Sequence, residues 1–137
     1  MSKYILDACA LLAVLNKEDG GDKVRKIINQ AITDSTEIRM NIVNLLEVYY
    51  GIFRDCGKDV AENIIANVYE SPVEIIDTIS DDVFKEAGRL KATYKISLAD
   101  SIALAESSAS GYELLTSDHH EFDVVEQSEK IVFHWIR

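Results

Sequence analysis

Four carboxylates stand where chemistry could be done. Asp7 directly follows the apolar run Tyr4-Ile5-Leu6, and Glu47 lies inside Leu45-Leu46-Glu47-Val48-Tyr49. Asp100 comes three residues after Ser97, and Asp118 follows Glu113-Leu114-Leu115-Thr116-Ser117. Each has an ordinary structural role open to it. Aspartate is a preferred helix N-cap, which suits Asp7. Ser97 and Asp100 have the spacing of a capping box, with Asp in place of Glu or Gln. Glu47 could be a solvated glutamate on a polar stripe, and Asp118 a turn residue, with Asp123 a fifth candidate beyond it. Taken together they suggest more. Carboxylates crowded at one place repel, and they stay ionised only with cations between them. All-oxygen ligands without paired His or Cys select hard ions such as Mg²⁺ or Mn²⁺. Gly51, one helical turn beyond Glu47, leaves a gap on its face where a metal or phosphate group would fit.

The elements that would position these acids follow from the switching hydrophobic period. Tyr4-Ile5-Leu6 reads as a buried strand and Ala8 to Leu15 as a helix. Val24, Ile27, Ile28, Ala31 and Ile32 make a helix face, and Glu37 to Ile42 a short strand. Two further helices carry Leu45 to Phe53 and Ala61 to Val68, and Val73 to Ile76 is strand-like. A long helix follows the Ser80 cap, with Val83, Phe84, Ala87, Leu90 and Tyr94 on its apolar side. Leu98 to Ala109 is helical, Tyr112 to Thr116 a strand, Ser117 to Asp123 a polar loop, and Ile131 to Ile136 a last strand. Strands alternating with helices predict an α/β fold with a mostly parallel sheet covered on both sides. Functional groups in such folds gather outside the carboxyl ends of the strands. Asp7 and Asp118 fall there; Ala99, Ile102, Ala103 and Ala105 predict that the helix carrying Asp100 is closely packed.

Composition bounds the rest. A chain of 137 residues is expected to form one domain, residues 1–137, with a core of its own. The longest stretch without a charge, Ala8 to Asn16, is too short to span a membrane, and Asp7 spoils the apolar start as a signal peptide. The expected location is the cytoplasm. Cys9 and Cys56 lack ligand spacing and read as small buried hydrophobes. The net charge of −10 divides as −3 over residues 1–70 and −7 beyond. Taken alone, that argues against binding nucleic acid through a broad basic face, and it permits a cationic partner or a carboxylate-held metal.

The sequence resembles the PIN-domain ribonucleases, and within them the VapC-type toxins of toxin–antitoxin pairs. Four blocks carry the likeness: Tyr4-Ile5-Leu6-Asp7 with Ala8 to Leu12; Asn44-Leu45-Leu46-Glu47-Val48-Tyr49-Tyr50-Gly51-Ile52; Ile96 to Ala105 around Asp100; and Leu114-Leu115-Thr116-Ser117-Asp118 with Phe122. The order Asp, Glu, Asp, Asp covers essentially the whole chain. The resemblance implies a three-layer PIN-like fold and a Mg²⁺- or Mn²⁺-dependent endoribonuclease. Asp7, Glu47, Asp100 and Asp118 would be its catalytic and metal-holding acids, with Thr116 as the hydroxyl that steadies the site. It further implies an RNA substrate, an antitoxin protein with an arginine-containing segment, and a homodimer. Apolar residues near Ile27 to Ile32 and Ile64 to Val68, more than one small core needs, point to the same pairing. His119-His120-Glu121 departs from the family pattern, where a basic or small residue is common. Arg39, Arg54, Arg89, Lys91 and Lys95 are the cations open to a nucleic-acid backbone.

The alternative is a catalytically silent PIN-like module whose acidic pocket docks a basic peptide or RNA. Phosphotransfer folds also place Asp after a first strand. The phosphatase pattern needs a second Asp where Cys9 stands, and a receiver needs acids within Lys3 to Leu6, where there are none.

Overall fold

The computed structural model describes residues 2–137. Five strands form one sheet: β1 (Lys3–Leu6), β2 (Glu37–Asn41), β3 (Glu74–Ile76), β4 (Glu113–Thr116) and β5 (Phe133–Trp135). Their order is β3-β2-β1-β4-β5, and every neighbouring pair runs parallel. Parallel neighbours cannot be joined by tight turns, so each connection must cross over one face, and helices do this. The expected α/β sheet with helices on both sides is what forms.

Successive side chains on a strand point to opposite faces, and the central strands β1 and β4 send apolar residues to both. Tyr4, Leu6, Ile38, Met40 and Leu115 enter one core. It is closed by α1 (Ala8–Leu15), α2 (Gly21–Thr33), α3 (Ile42–Cys56) and α4 (Lys58–Glu70). Ile5 and Leu114 point into the other, under α5 (Asp81–Thr93), α6 (Leu98–Ser110) and α7 (His119–Ser128). Helix α6 is buried without a break from Ser101 to Ser107, which explains its small residues. Its Glu106 is buried too, and accepts a 2.7 Å hydrogen bond from Asn41 Nδ2 at the end of β2.

Three expectations need correction. The segment from Ser117 to Asp123 is not a polar loop: from His119 it is helix α7, which buries Phe122 and Val125. Strands β3, β4 and β5 are one to three residues shorter at their ends than the apolar runs predict, because pairing stops before burial does, and β2 is one residue shorter because Ile42 already opens α3. The apolar residues read as surplus on α2 and α4 are largely used at home. Ile27 and Val68 belong to the first core, and Ile28, Ile64 and Ile65 rest against it; Ile32 alone is well exposed. The larger uncovered apolar surface lies on α5 and the start of α6, where Phe84 is 69% and Leu98 62% exposed.

Gly20 and Gly21 turn the chain where nothing larger fits. Gly20 has φ of +88°, and a Cβ on it would lie 2.6 Å from the Ile136 carbonyl oxygen. A Cβ on Gly21 would collide with the carbonyl of Ala13. Among the described residues no helix is long and apolar enough to cross a membrane.

Candidate active site

The crossover pattern decides where a site can form. From β1 the chain moves outward to β2 and β3, then returns past β1 to β4 and β5. The direction reverses between β1 and β4, and sheets of this kind place their ligand sites outside the carboxyl ends of the strands at such a point. Asp7 is the residue after β1, and Asp118 lies two beyond β4. The backbone N–H of Asp7 donates to the Leu115 carbonyl at 3.4 Å.

Both aspartates also do the structural work that aspartate does at such places. Asp7 caps α1, its Oδ1 accepting the Ala10 N–H at 2.8 Å, and Asp118 caps α7, accepting the Glu121 N–H at 3.1 Å. Asp100 lies in the first turn of α6, where its N–H donates to Ser97 Oγ at 3.1 Å. Thus the amino ends of three helices carry acids, and the positive ends of their dipoles offset part of the crowding. Glu47 comes from the second turn of α3, which starts directly at the end of β2. Thr116 is fully buried, and its Oγ1 accepts the Asp118 N–H at 3.1 Å, fixing the turn between β4 and α7.

The four carboxylates lie within one another's electrostatic reach. Burial, resisted by the Thr116 hydroxyl and the Ala10 N–H and aided by Asp118 and Glu47, pushes the Asp7 carboxyl up to about 7. Burial pushes Asp100 to about 7 as well, with Asp118, Asp7 and Glu47 adding to it against Ser97. Glu47 is raised by burial and by Asp118. The Cys9 thiol, half-buried beside them, is driven to about 12 by burial and by all four acids. Of the two cysteines read as small buried hydrophobes, Cys9 is thus partly buried, and Cys56 is a correction, since it is exposed.

Three buried oxygens at this edge have no hydrogen-bond partner: Asp7 Oδ2, Glu47 Oε1 and Asn44 Oδ1. A buried acceptor without a donor costs about 1–3 kcal/mol. Asp7 is only 1% exposed, so Oδ2 has little access to bulk water. Thr116 favours its ionised form from nearby without closing a hydrogen bond to Oδ2. Among the described residues no three acidic, thiol or imidazole groups are gathered closely enough to grip an ion directly. The donor set still suits a hard divalent cation: it is all oxygen, anionic, and short of positive partners. Gly51 borders open space, since a Cβ there would meet nothing within 4 Å.

Asn44 was given no role of its own in the sequence reading. It lies three residues before Glu47, hence on the same helix face, and is 1% exposed. Its Nδ2 donates to the Ala99 carbonyl at 3.0 Å, tying α3 to the turn of α6 that carries Asp100. The i, i+3 relation to Glu47 was the signal that could have found it. The other candidates stand apart. His119 is exposed and held by Asp123 Oδ1 at 2.8 Å and the Arg137 carbonyl at 2.9 Å, with its ring stacked on Trp135 at 3.8 Å. That pairing accounts for Asp123; His120 is simply exposed. Of the five cations, Arg39 is engaged by Glu74 at 2.9 Å and Arg89 by Glu86 and Glu129 at 2.7 and 2.6 Å. Arg54, Lys91 and Lys95 remain exposed.

A five-stranded parallel sheet with acids at its switch point defines a class of α/β protein, and comparison with known proteins narrows it. The model of the PIN-domain family matches residues 4–127, and the chain belongs to that family. No curated protein matches it in sequence. Among solved structures it is similar to DNA-bound VapBC from Salmonella typhimurium, with a TM-score of 0.74 at 15% identity over 100% of both chains. VapBC2 from Rickettsia felis, bound to a DNA fragment from their promoter, gives a TM-score of 0.72 at 17% identity over 97% of this chain and 98% of that one. VapC20 of Mycobacterium tuberculosis, a Sarcin-Ricin loop cleaving toxin, gives 0.65 at 16% identity over 94% and 96%. At such identities the likeness is one of fold.

Proposed function

We propose that this PIN domain is a metal-dependent endoribonuclease, acting in the cytoplasm as the toxin of a toxin–antitoxin pair. The observation that carries the reading is Asp7. A fully buried carboxylate with one unpartnered oxygen, pushed up to about 7 beside three other acids, is a poor structural element and a good cation ligand. Asp7 and Asp100 are assigned as direct holders of Mg²⁺ or Mn²⁺, and Glu47 and Asp118 as holders through water. Such an ion, when bound, would offset charge on a phosphodiester and lower the pKa of a water so that hydroxide is available as nucleophile near neutral pH. The chain's own part is to fix the donors. Thr116 holds the Asp118 turn, Ser97 holds Asp100, and Asn44 holds α3 against α6.

The solved relatives with similar folds include toxin–antitoxin complexes, which supports a protein partner for this chain. A segment bearing arginine suits a pocket of four acids. The test is direct: the purified chain should cut RNA with Mn²⁺ or Mg²⁺ and stop on adding EDTA. Cleavage that persists in EDTA, or none with either ion, would end the reading.

Two copies are inferred to pair, through a face other than the one the sequence suggested. A cavity of about 680 Å³ is an apolar groove along α5 and the start of α6, and none of the four acids lines it. Phe84 and Leu98 protrude from the surface that also holds the small residues Gly88 and Ala92. Knob and hollow on one face are satisfied together by a two-fold axis.

A further inference from the structure

Asn44 Oδ1 is unlike the other unpartnered oxygens of the site. Asp7 and Glu47 each carry an anionic group, whose unpaired oxygen a cation in the site satisfies directly. An amide oxygen is neutral: it is satisfied only by a donor or a cation brought to it. The orientation of the amide is settled by its other end, because Nδ2 faces the Ala99 carbonyl, which can only accept. Oδ1 is therefore a buried acceptor without a donor, on the helix face it shares with Glu47, one hydrogen bond from the backbone that leads into Asp100. Ala99 does not depend on this contact, since helix geometry supplies its carbonyl with the Ala103 N–H.

Resting on the metal-dependent reading above, we propose that Asn44 is a positioning residue for the cation: its Oδ1 accepts a hydrogen bond from a water hydrating the ion, while its N–H holds the Asp100 turn in place. Outer partners of this kind orient the donors around a metal, and losing one typically weakens binding about 10–100-fold. One neutral side chain would thereby register two helices that supply two of the four acids.

The test measures Mn²⁺ binding by calorimetry, with Mn²⁺ alone as titrant, and thermal stability of the metal-free chain. Asn44→Leu keeps the shape and removes the polar groups. It should bind Mn²⁺ about 10-fold more weakly, while its metal-free melting temperature equals or exceeds that of wild type, because a buried unsatisfied oxygen is gone. A merely structural asparagine gives the reverse, a lower melting temperature with unchanged Mn²⁺ affinity, and that result overturns the proposal. Asn44→Asp retains an acceptor but not the amide donor, so Mn²⁺ affinity should be kept or raised. A loss equal to that of the leucine variant would show that only the Ala99 contact matters, which also overturns it. Should leucine prevent folding, Asn44→Ala replaces it and carries the same expectation for Mn²⁺. Wild type that binds no Mn²⁺ sinks this proposal and the nuclease reading together. Wild type that binds Mn²⁺ and cuts RNA, beside an Asn44→Leu variant of equal affinity, sinks this proposal alone.

Discussion

Asp7 follows one, and Thr116 ends the other, of the two strands between which the sheet reverses its winding, and both are buried there. Register pairs Leu6 with Leu115, so the residue that follows each partner, Asp7 on one side and Thr116 on the other, lies at the same end of the sheet. The hydroxyl of Thr116 serves the Asp118 turn and bears on the Asp7 carboxylate at once. From this follows the first expected outcome. Asp7→Asn keeps the α1 cap, because asparagine caps a helix as well as aspartate. RNA cleavage with Mn²⁺ should nevertheless fall on the order of 10²–10³-fold, as when one preorganised electrostatic group is removed from an active site. Cleavage within a few-fold of wild type, on a variant with unchanged melting temperature, would remove Asp7 from the site.

Stability of the metal-free chain should depend on pH in an unusual direction. Folding raises Asp7 and Asp100 from an ordinary 3.8 to about 7, so the folded state binds protons more tightly than the unfolded one. The stabilising contribution is complete below about pH 4 and is lost as pH rises through 7. For the fully buried Asp7 alone, three pH units at about 1.4 kcal/mol each set an upper bound near 4 kcal/mol. Melting curves in EDTA should therefore show a fall from pH 5.5 to pH 8. Asp7→Asn should flatten part of that fall, and Mn²⁺ should restore the wild type at pH 8. A melting temperature that rises over the interval would contradict the raised values.

Much of this arrangement is legible in the sequence, and the misses have physical causes. Apolar runs locate the central strands β1 and β4 because both of their faces are buried, whereas β2 shows through alternation, with Ile38 and Met40 in the core and Glu37 and Arg39 half-exposed. The acids at strand ends and helix starts stand out for the same reason, since polar residues there interrupt an apolar pattern. Helix α7 was missed because only Phe122 and Val125 are buried on it, too few to mark a period. Its start was nonetheless signalled: Asp118 and Glu121 have capping-box spacing, and Asp118 does accept the Glu121 N–H. Phe84 looks like a core position on α5 by spacing, yet it points outward, since periodicity tells which residues share a stripe and not how wide the buried part is. The Asn41–Glu106 contact joins residues 65 positions apart, and no local pattern reports such a pair.

That contact should matter to stability rather than to chemistry. Glu106→Ala leaves the buried Asn41 amide without its acceptor and opens a small void in α6. A loss of about 1–3 kcal/mol is expected from the unpaired donor. Glu106→Gln, which can still accept, should lose less. Equal stability of Glu106→Ala and wild type in urea unfolding would show that water takes over the role of the carboxylate.

Pairing through the α5–α6 groove predicts that Phe84→Glu yields a monomer. Burying a charge against the same apolar face of a second copy is costly, whereas on the free chain Phe84 is already 69% exposed and its replacement costs the fold little. Light scattering at high micromolar concentration should report twice the chain mass for wild type and the single mass for the variant. A monomeric wild type, or a dimer that survives Phe84→Glu, would count against this face.

The last expected outcome concerns silencing by a cationic partner. A chain of net charge −10 with four acids around one crevice attracts positive groups over distance. Arginine suits the place better than lysine, because its planar guanidinium can bridge carboxylates through parallel charge-assisted hydrogen bonds. Such a group would compete with the metal for the same oxygens and needs no change in the fold. A short arginine-bearing peptide should therefore inhibit RNA cleavage, and its lysine counterpart should inhibit less. Added Mn²⁺ should relieve the inhibition more than NaCl of equal ionic strength, which separates competition at the site from screening. Asp100→Asn should weaken peptide binding further, because it removes one of the bridged carboxylates. Affinity indifferent to both Mn²⁺ and Asp100→Asn would place the cationic contacts on another surface and leave the acids to hold metal alone.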